Sequence, residues 1–171
     1  MKAKAIGIFL AMLVSSFVLV ARTAVTDIEK FNWISEKTAT GGQPTVEQIA
    51  ALKHAGFRTI VNLRERSEYD AAAEEAAAKE NGLDYINIPV PRDAPKAEQV
   101  DAFLKLMKEA RPPVFIHCGT ANRVAAFWMI RRVLVDKWDL EDAEREAKVA
   151  GLKSESTKEF ALAYIQSHTA K

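Results

Sequence analysis

Short β-rich runs alternate along this chain with stretches of helical character. That alternation restricts the fold more than any single residue does. Phe31 to Ser35, Thr59 to Leu63, Tyr85 to Val90 and the apolar run from Val114 to His117 each read as a strand. Thr38 to Pro44, rich in Gly and Pro, reads as a loop. Thr45 stands three residues before Gln48, the spacing of a capping box, and opens a helix carrying Ile49 and Leu52 that stops at Gly56. Asp70 to Lys79 is Ala/Glu-rich and helical, ended by Asn81-Gly82. Pro95 opens the next helix, where Val100, Phe103, Leu104 and Met107 form a core-facing stripe that Pro112-Pro113 close. A helix is expected from about Arg123 to Leu134, another from the N-cap Asp139 to near Gly151, and a last one over Ser156 to Ser167 with Phe160, Tyr164 and Ile165 inward. Strands alternating with helices imply an α/β domain over residues 31–167, with a mostly parallel central sheet flanked by helices. Ligands in such sheets sit at the C-terminal ends of strands. Cys118 and Arg64 each lie at such an end.

Ahead of this domain, Lys2 and Lys4 precede an apolar stretch from Ile6 to Ala21. The pattern is that of an export signal over residues 1–24, cleaved after Ala21 or Ala24, with an uncleaved membrane anchor as the alternative. The domain is then expected outside the cytoplasm, in a periplasmic compartment. Membrane contact is expected only through an uncleaved segment. Cys118 is the only cysteine, so it cannot form an intramolecular disulfide. A free thiol in an oxidising compartment points to function rather than to structure. Hydrophobic residues make up 49% of the chain, which excludes disorder, and a net charge of +1 provides no global field for nucleic acid. His54, His117 and His168 form no motif with the cysteine at zinc-site spacing. No metal and no cofactor is expected.

The chemistry concentrates in His117-Cys118-Gly119-Thr120-Ala121-Asn122-Arg123. A strand ends, small residues turn, and a helix begins at an arginine. Loop amides and a helix N-terminus bind anions, and the same surroundings favour the thiolate over the thiol. The arrangement suits a nucleophilic thiolate and a tetrahedral anionic substrate. A lone buried cysteine acting as a small hydrophobe is the competing reading.

Taken in order, Gly42 to Thr45, Gly56 to Arg64, Ile88 to Val90 and His117 to Arg123 resemble the segments of the bacterial beta-lactamase-hydrolase-like phosphatase family, a branch of the dual-specificity-phosphatase-like fold. The resemblance spans roughly Phe31 to Ile165. It implies a hydrolase acting on phosphate monoesters, small anionic molecules or phosphoproteins, through a phosphocysteine on Cys118. Backbone N–H groups of Gly119, Thr120, Ala121 and Asn122 would hold the equatorial oxygens. Arg123 would clamp two of them, and Asp93 would be the general acid. The competing role for Asp93 is a solvated or helix-capping carboxylate. His117 would tune the thiolate, or serve as a satisfied histidine at a strand end. Arg64 would be a second anion contact, or else a surface salt bridge to Glu65 or Glu68. Arg131 and Arg132 read as a solvated helix face, and Trp128 and Trp138 as packing residues.

Two departures stand out. Ordinary tyrosine phosphatases place five residues between cysteine and arginine; here there are four. Val124 follows the arginine where a Ser or Thr usually helps expel the thiolate. The shorter spacing also resembles rhodanese-type sulfurtransferases, whose cysteine carries a persulfide. Sulfur transfer and non-catalytic anion binding therefore stand beside phosphate-ester hydrolysis.

Overall fold

The computed structural model describes residues 25–169. The expected export segment lies outside the described residues. β1 (Asn32–Ser35), β2 (Thr38–Gly41), β3 (Thr59–Asn62), β4 (Asp84–Asn87) and β5 (Val114–His117) form a five-stranded sheet in the order β1-β2-β5-β3-β4. β1 runs antiparallel to β2, and the other pairings are parallel. The helices are α1 (Val46–His54), α2 (Ala71–Glu80), α3 (Ala97–Glu109), α4 (Asn122–Leu134), α5 (Leu140–Ala150) and α6 (Glu155–Thr169). The Thr45–Gln48 capping box forms in both directions, at 2.9 and 3.2 Å.

A parallel sheet is covered on both faces, and residue alternation decides which side chain goes to which layer. Val61, Val114 and Ile116 join the core under α3, α4, α5 and α6. Ile60 and Phe115 join Ile49, Leu52, Ala77 and Ala78 under α1 and α2. The same alternation carries past the end of β5. Cys118 belongs to the first layer, whereas the His117 ring stacks on Phe115 in the second, with centroids 5.6 Å apart.

Two expectations are corrected here. Thr38 to Gly41 is not loop but the second strand of the sheet. Its residues are small because neighbours crowd it: a Cβ on Gly41 would sit 3.1 Å from the Phe115 ring and 3.3 Å from Ile28 Cγ2. Arg132 is not on a solvated face. It is 8% exposed, donates to Glu146 through Nε and Nη2 (both 2.7 Å) and to the Ile34 carbonyl (2.6 Å), and lies 4.1 Å over the Trp138 ring. A guanidinium tolerates burial when acceptors meet its fork of donors. Trp128 is core, as expected, while Trp138 is 39% exposed and covers Arg132.

Candidate active site

The loop after β5 is pinned from three sides. The Cys118 N–H points at the Gly41 carbonyl (3.4 Å), and the Gln43 N–H donates to the Gly119 carbonyl (3.2 Å). Gly42 bridges Thr120. Ala121 then takes a left-handed conformation, φ 65° and ψ −6°, and hands the chain into α4. The end of α5 packs against this turn. Gly151 has φ 121°, and a Cβ there would lie 2.9 Å from Ala121 Cβ, so neither its conformation nor its surroundings admit another residue easily.

Asn122 ties the same loop to the α5–α6 connection. Its Oδ1 accepts from the N–H groups of Lys153 (2.9 Å) and Ser154 (3.0 Å), and its Nδ2 donates to Thr157 Oγ1 (3.0 Å). The side-chain amide is therefore committed within the protein. Its effect is to bring Lys153 and Ser154 to the wall of the pocket.

That pocket has a volume of about 240 Å³ and is lined by Cys118, Gly119, Thr120, Asn122 and Arg123, with Arg92, Asp93, Lys153 and Ser154 around them. Cys118 is 1% exposed. Asp93, exposed on the loop between β4 and α3, shares the pocket with it. The size suits one tetrahedral anion and part of what it is attached to, and the cations Arg92, Arg123 and Lys153 outnumber the carboxylate of Asp93.

Arg123 is held from behind. Nη1 donates to Glu68 Oε1 (2.6 Å) and to the Val90 carbonyl (2.7 Å), and Nη2 donates to Glu68 Oε2 (2.8 Å). A guanidinium has five N–H donors. Three are used on Glu68 and Val90; the Nε–H and one Nη2–H remain on the side that interacts with the Cys118 sulfur, the edge that matches two oxygens of a tetrahedral anion. Burial alone lowers the Arg123 pKa, but Glu68 and the Cys118 sulfur outweigh it and raise it, so the charge is permanent. Burial likewise pushes the Glu68 carboxyl up. The hydrogen bonds from Arg123, the Glu65 N–H and Arg92 overcome that and hold it at about 2. Glu68 thus remains a carboxylate throughout the working range.

Arg64 and His117 are placed elsewhere. Arg64 is 1% exposed and does not line the pocket. Its Nη2 pairs with Glu74, its Nε donates to Asn62 Oδ1 (3.1 Å), and its guanidinium lies 4.0 Å over the Tyr69 ring. The salt bridge expected with Glu65 or Glu68 is replaced by this buried one, because Glu68 is taken by Arg123. The ring of His117, fully buried, has Nε2 3.2 Å from Glu74 Oε1. Burial lowers its pKa despite that carboxylate. Glu74 is held at about 2, its own burial being overcome by His117, Arg64 and Tyr85. Glu74 also accepts from Asn62 Nδ2 (3.1 Å) and Tyr85 Oη (2.8 Å), so it gathers β3, β4, β5 and α2 beneath the loop.

Sequence reasoning missed Glu68, Glu74, Arg92, Lys153 and Ser154. Glu68 lies 55 residues from the arginine it positions. No local pattern marks that pair.

Residues 11–163 match the family described as DSP-PTPase phosphatase fused to NAD+ kinase. The chain belongs to that family. A beta-lactamase hydrolase-like protein of Agrobacterium fabrum is 31% identical over 116 residues, covering 64% of this chain and 27% of the relative. The chain therefore spans little more than a quarter of the curated relatives of this kind. Among solved structures, a DUF442 phosphatase from Shewanella putrefaciens CN-32 superposes with a TM-score of 0.73 at 22% identity, over 85% of this chain and 97% of that one. TpbA of P. aeruginosa, solved in complex with pTyr, gives a TM-score of 0.63 at 22% identity, over 80% and 83% of the two chains. These likenesses establish the DSP-PTPase-like phosphatase fold, with its mostly parallel sheet between helix layers. As a member of a phosphatase family, the chain is expected to be a hydrolase.

Proposed function

We propose that this protein hydrolyses phosphate monoesters through a covalent phosphocysteine. The observation that carries the reading is the pocket itself: one thiol at its base, the free edge of a fixed guanidinium beside it, and one carboxyl at its lip. In the first step the Cys118 thiolate attacks phosphorus as the phosphorus–oxygen ester bond breaks, and Asp93 gives its proton to the leaving oxygen. Arg123 and the loop N–H groups carry the charge that develops on the equatorial oxygens. In the second, Asp93 takes a proton from water, the water oxygen attacks phosphorus, and the sulfur leaves as thiolate. Val124 is fully buried in the core, so α4 supplies no hydroxyl there to assist that departure. The second step is then the slower one.

The four-residue spacing would suit a sulfane-sulfur carrier equally. Family membership and the placement of Asp93 favour phosphate. Rapid mixing with p-nitrophenyl phosphate should release a burst of p-nitrophenolate close to one equivalent per thiol, followed by slower turnover. Cys118→Ser should abolish both phases. Thiocyanate release from thiosulfate and cyanide, with no phosphate release from any ester, would replace this reading with sulfur transfer.

A further inference from the structure

A second cavity, about 490 Å³, opens at the opposite end of the sheet from Cys118. Lys37 and Thr38, at the start of β2, and Val114, at the start of β5, contribute to it, with the last turn of α4 alongside. Lys37, Lys108 and Arg131 line it with the carboxylate of Asp136; Arg132 lines it too, but its charge is met by Glu146 and Asp136. Met107, Ala110, Pro112 and Val114 give it an apolar floor, with the Trp128 ring beside them under Arg131 and Arg132.

Two features indicate what would fill it. Trp128 is 3% exposed, and its Nε1–H is buried without an acceptor among the described residues. Leaving a buried donor unmade is costly, and tryptophan N–H groups are ordinarily satisfied. Arg131 donates once, to Asp136 Oδ2 (2.6 Å), and its guanidinium lies 4.6 Å over the Trp128 ring. Its other N–H donors have no hydrogen-bond partner among the described residues. A helix C-terminus ordinarily repels anions. Here three of the last four carbonyls are occupied: Arg131 O accepts from Val135 and Asp136, Arg132 O from Trp138, and Leu134 O from Lys137 Nζ.

We propose that this cavity binds a small organic anion with a flat apolar body. Its anionic oxygens would face Arg131 and the two lysines, one acceptor would satisfy Trp128 Nε1–H, and its body would lie on the apolar floor. The proposal is independent of the chemistry at Cys118.

Naphthalene-2-sulfonate has this shape and charge and carries no phosphate ester. Calorimetric titration into the full chain should show saturable binding. Arg131→Gln should weaken it ~10-fold or more, as loss of a charge-assisted contact does. Trp128→Phe keeps a ring in the core and removes only the donor; with its fold checked by thermal melting, it should weaken binding about 3- to 10-fold. Arg123→Gln, at the other pocket, should leave the Kd unchanged. No saturable binding, a Kd indifferent to either Arg131→Gln or Trp128→Phe, or binding lost in Arg123→Gln would overturn the proposal.

Discussion

Glu68 grips Arg123 with both carboxylate oxygens, one on each terminal nitrogen, at 2.6 and 2.8 Å. The pair joins the turn after β3 to the start of α4. It fixes the guanidinium plane of an arginine that is only 3% exposed, so an anion meets a fork already aimed at it. Arg92 shares the same carboxylate from the pocket rim, with Nη2 3.1 Å from Oε2.

Replacing Glu68 with Gln removes one acceptor and the charge. We expect kcat/KM on p-nitrophenyl phosphate to fall ~10-fold or more, with Arg123 still present but no longer held by two carboxylate oxygens. The acid stability should change too. The carboxyl is held at about 2, below its ordinary 4.5. Its contribution is therefore complete above the ordinary value and disappears as the pH falls towards 2. Thermal melts from pH ~5 down to ~2 should show a shallower loss in Glu68→Gln than in the parent, with Glu74, held at a similar value, accounting for part of the slope that remains. An unchanged slope would mean that the carboxyl is not held low.

Arg123→Lys tests the fork rather than the charge. An ammonium cannot present two parallel donors to an anion while also meeting Glu68 and the Val90 carbonyl. Turnover of p-nitrophenyl phosphate should drop by ~10² or more. Near-parental turnover would remove Arg123 from the transition state.

What the sequence disclosed follows from which contacts are local. The strand ending at His117, the turn of small residues and the helix beginning at Asn122 are contiguous, so Cys118 and Arg123 could be placed around one point from spacing alone. The capping box at Thr45 and the alternation that sends Phe115 and Ile116 to opposite layers are local in the same way. Partner choice is not. Glu68 sits among Glu65, Arg64 and Arg66, and nothing nearby says that it turns to an arginine on another helix while Arg64 turns inward to Glu74. β2 was hidden because its residues are small, a response to Phe115 and Ile28 packing over it, and because Gly42 and Pro44 follow. Arg132 reads as a surface residue in the sequence because its acceptors, Glu146 and the Ile34 carbonyl, come from distant parts of the chain.

The contact between Gly151 and Ala121 predicts a stability effect seated in the loop. Gly151→Ala places a Cβ 2.9 Å from that of Ala121 at a φ of 121°. It should cost about 2–4 kcal/mol in denaturant unfolding. Adding Ala121→Gly removes the clash and also relieves the left-handed alanine, so the double variant should recover about 1 kcal/mol of that loss. Strictly additive single effects would show that the two residues do not press on each other.

The proposed acid, Asp93, is tested by the basicity of the leaving group. It lines the pocket from an exposed loop, and among the described residues its side chain makes no hydrogen bond or ion pair, so its carboxyl is free to meet a leaving oxygen. An acid matters in proportion to the basicity of the group that departs. Asp93→Asn should therefore slow hydrolysis of a phenyl phosphate far more than that of p-nitrophenyl phosphate, whose leaving group needs little protonation. Loss on the poorer leaving group should reach ~10²-fold, and the burst with p-nitrophenyl phosphate should survive. Equal losses on both esters would assign Asp93 to shaping the pocket rather than to proton transfer, and the acid would then have to be sought elsewhere along its rim.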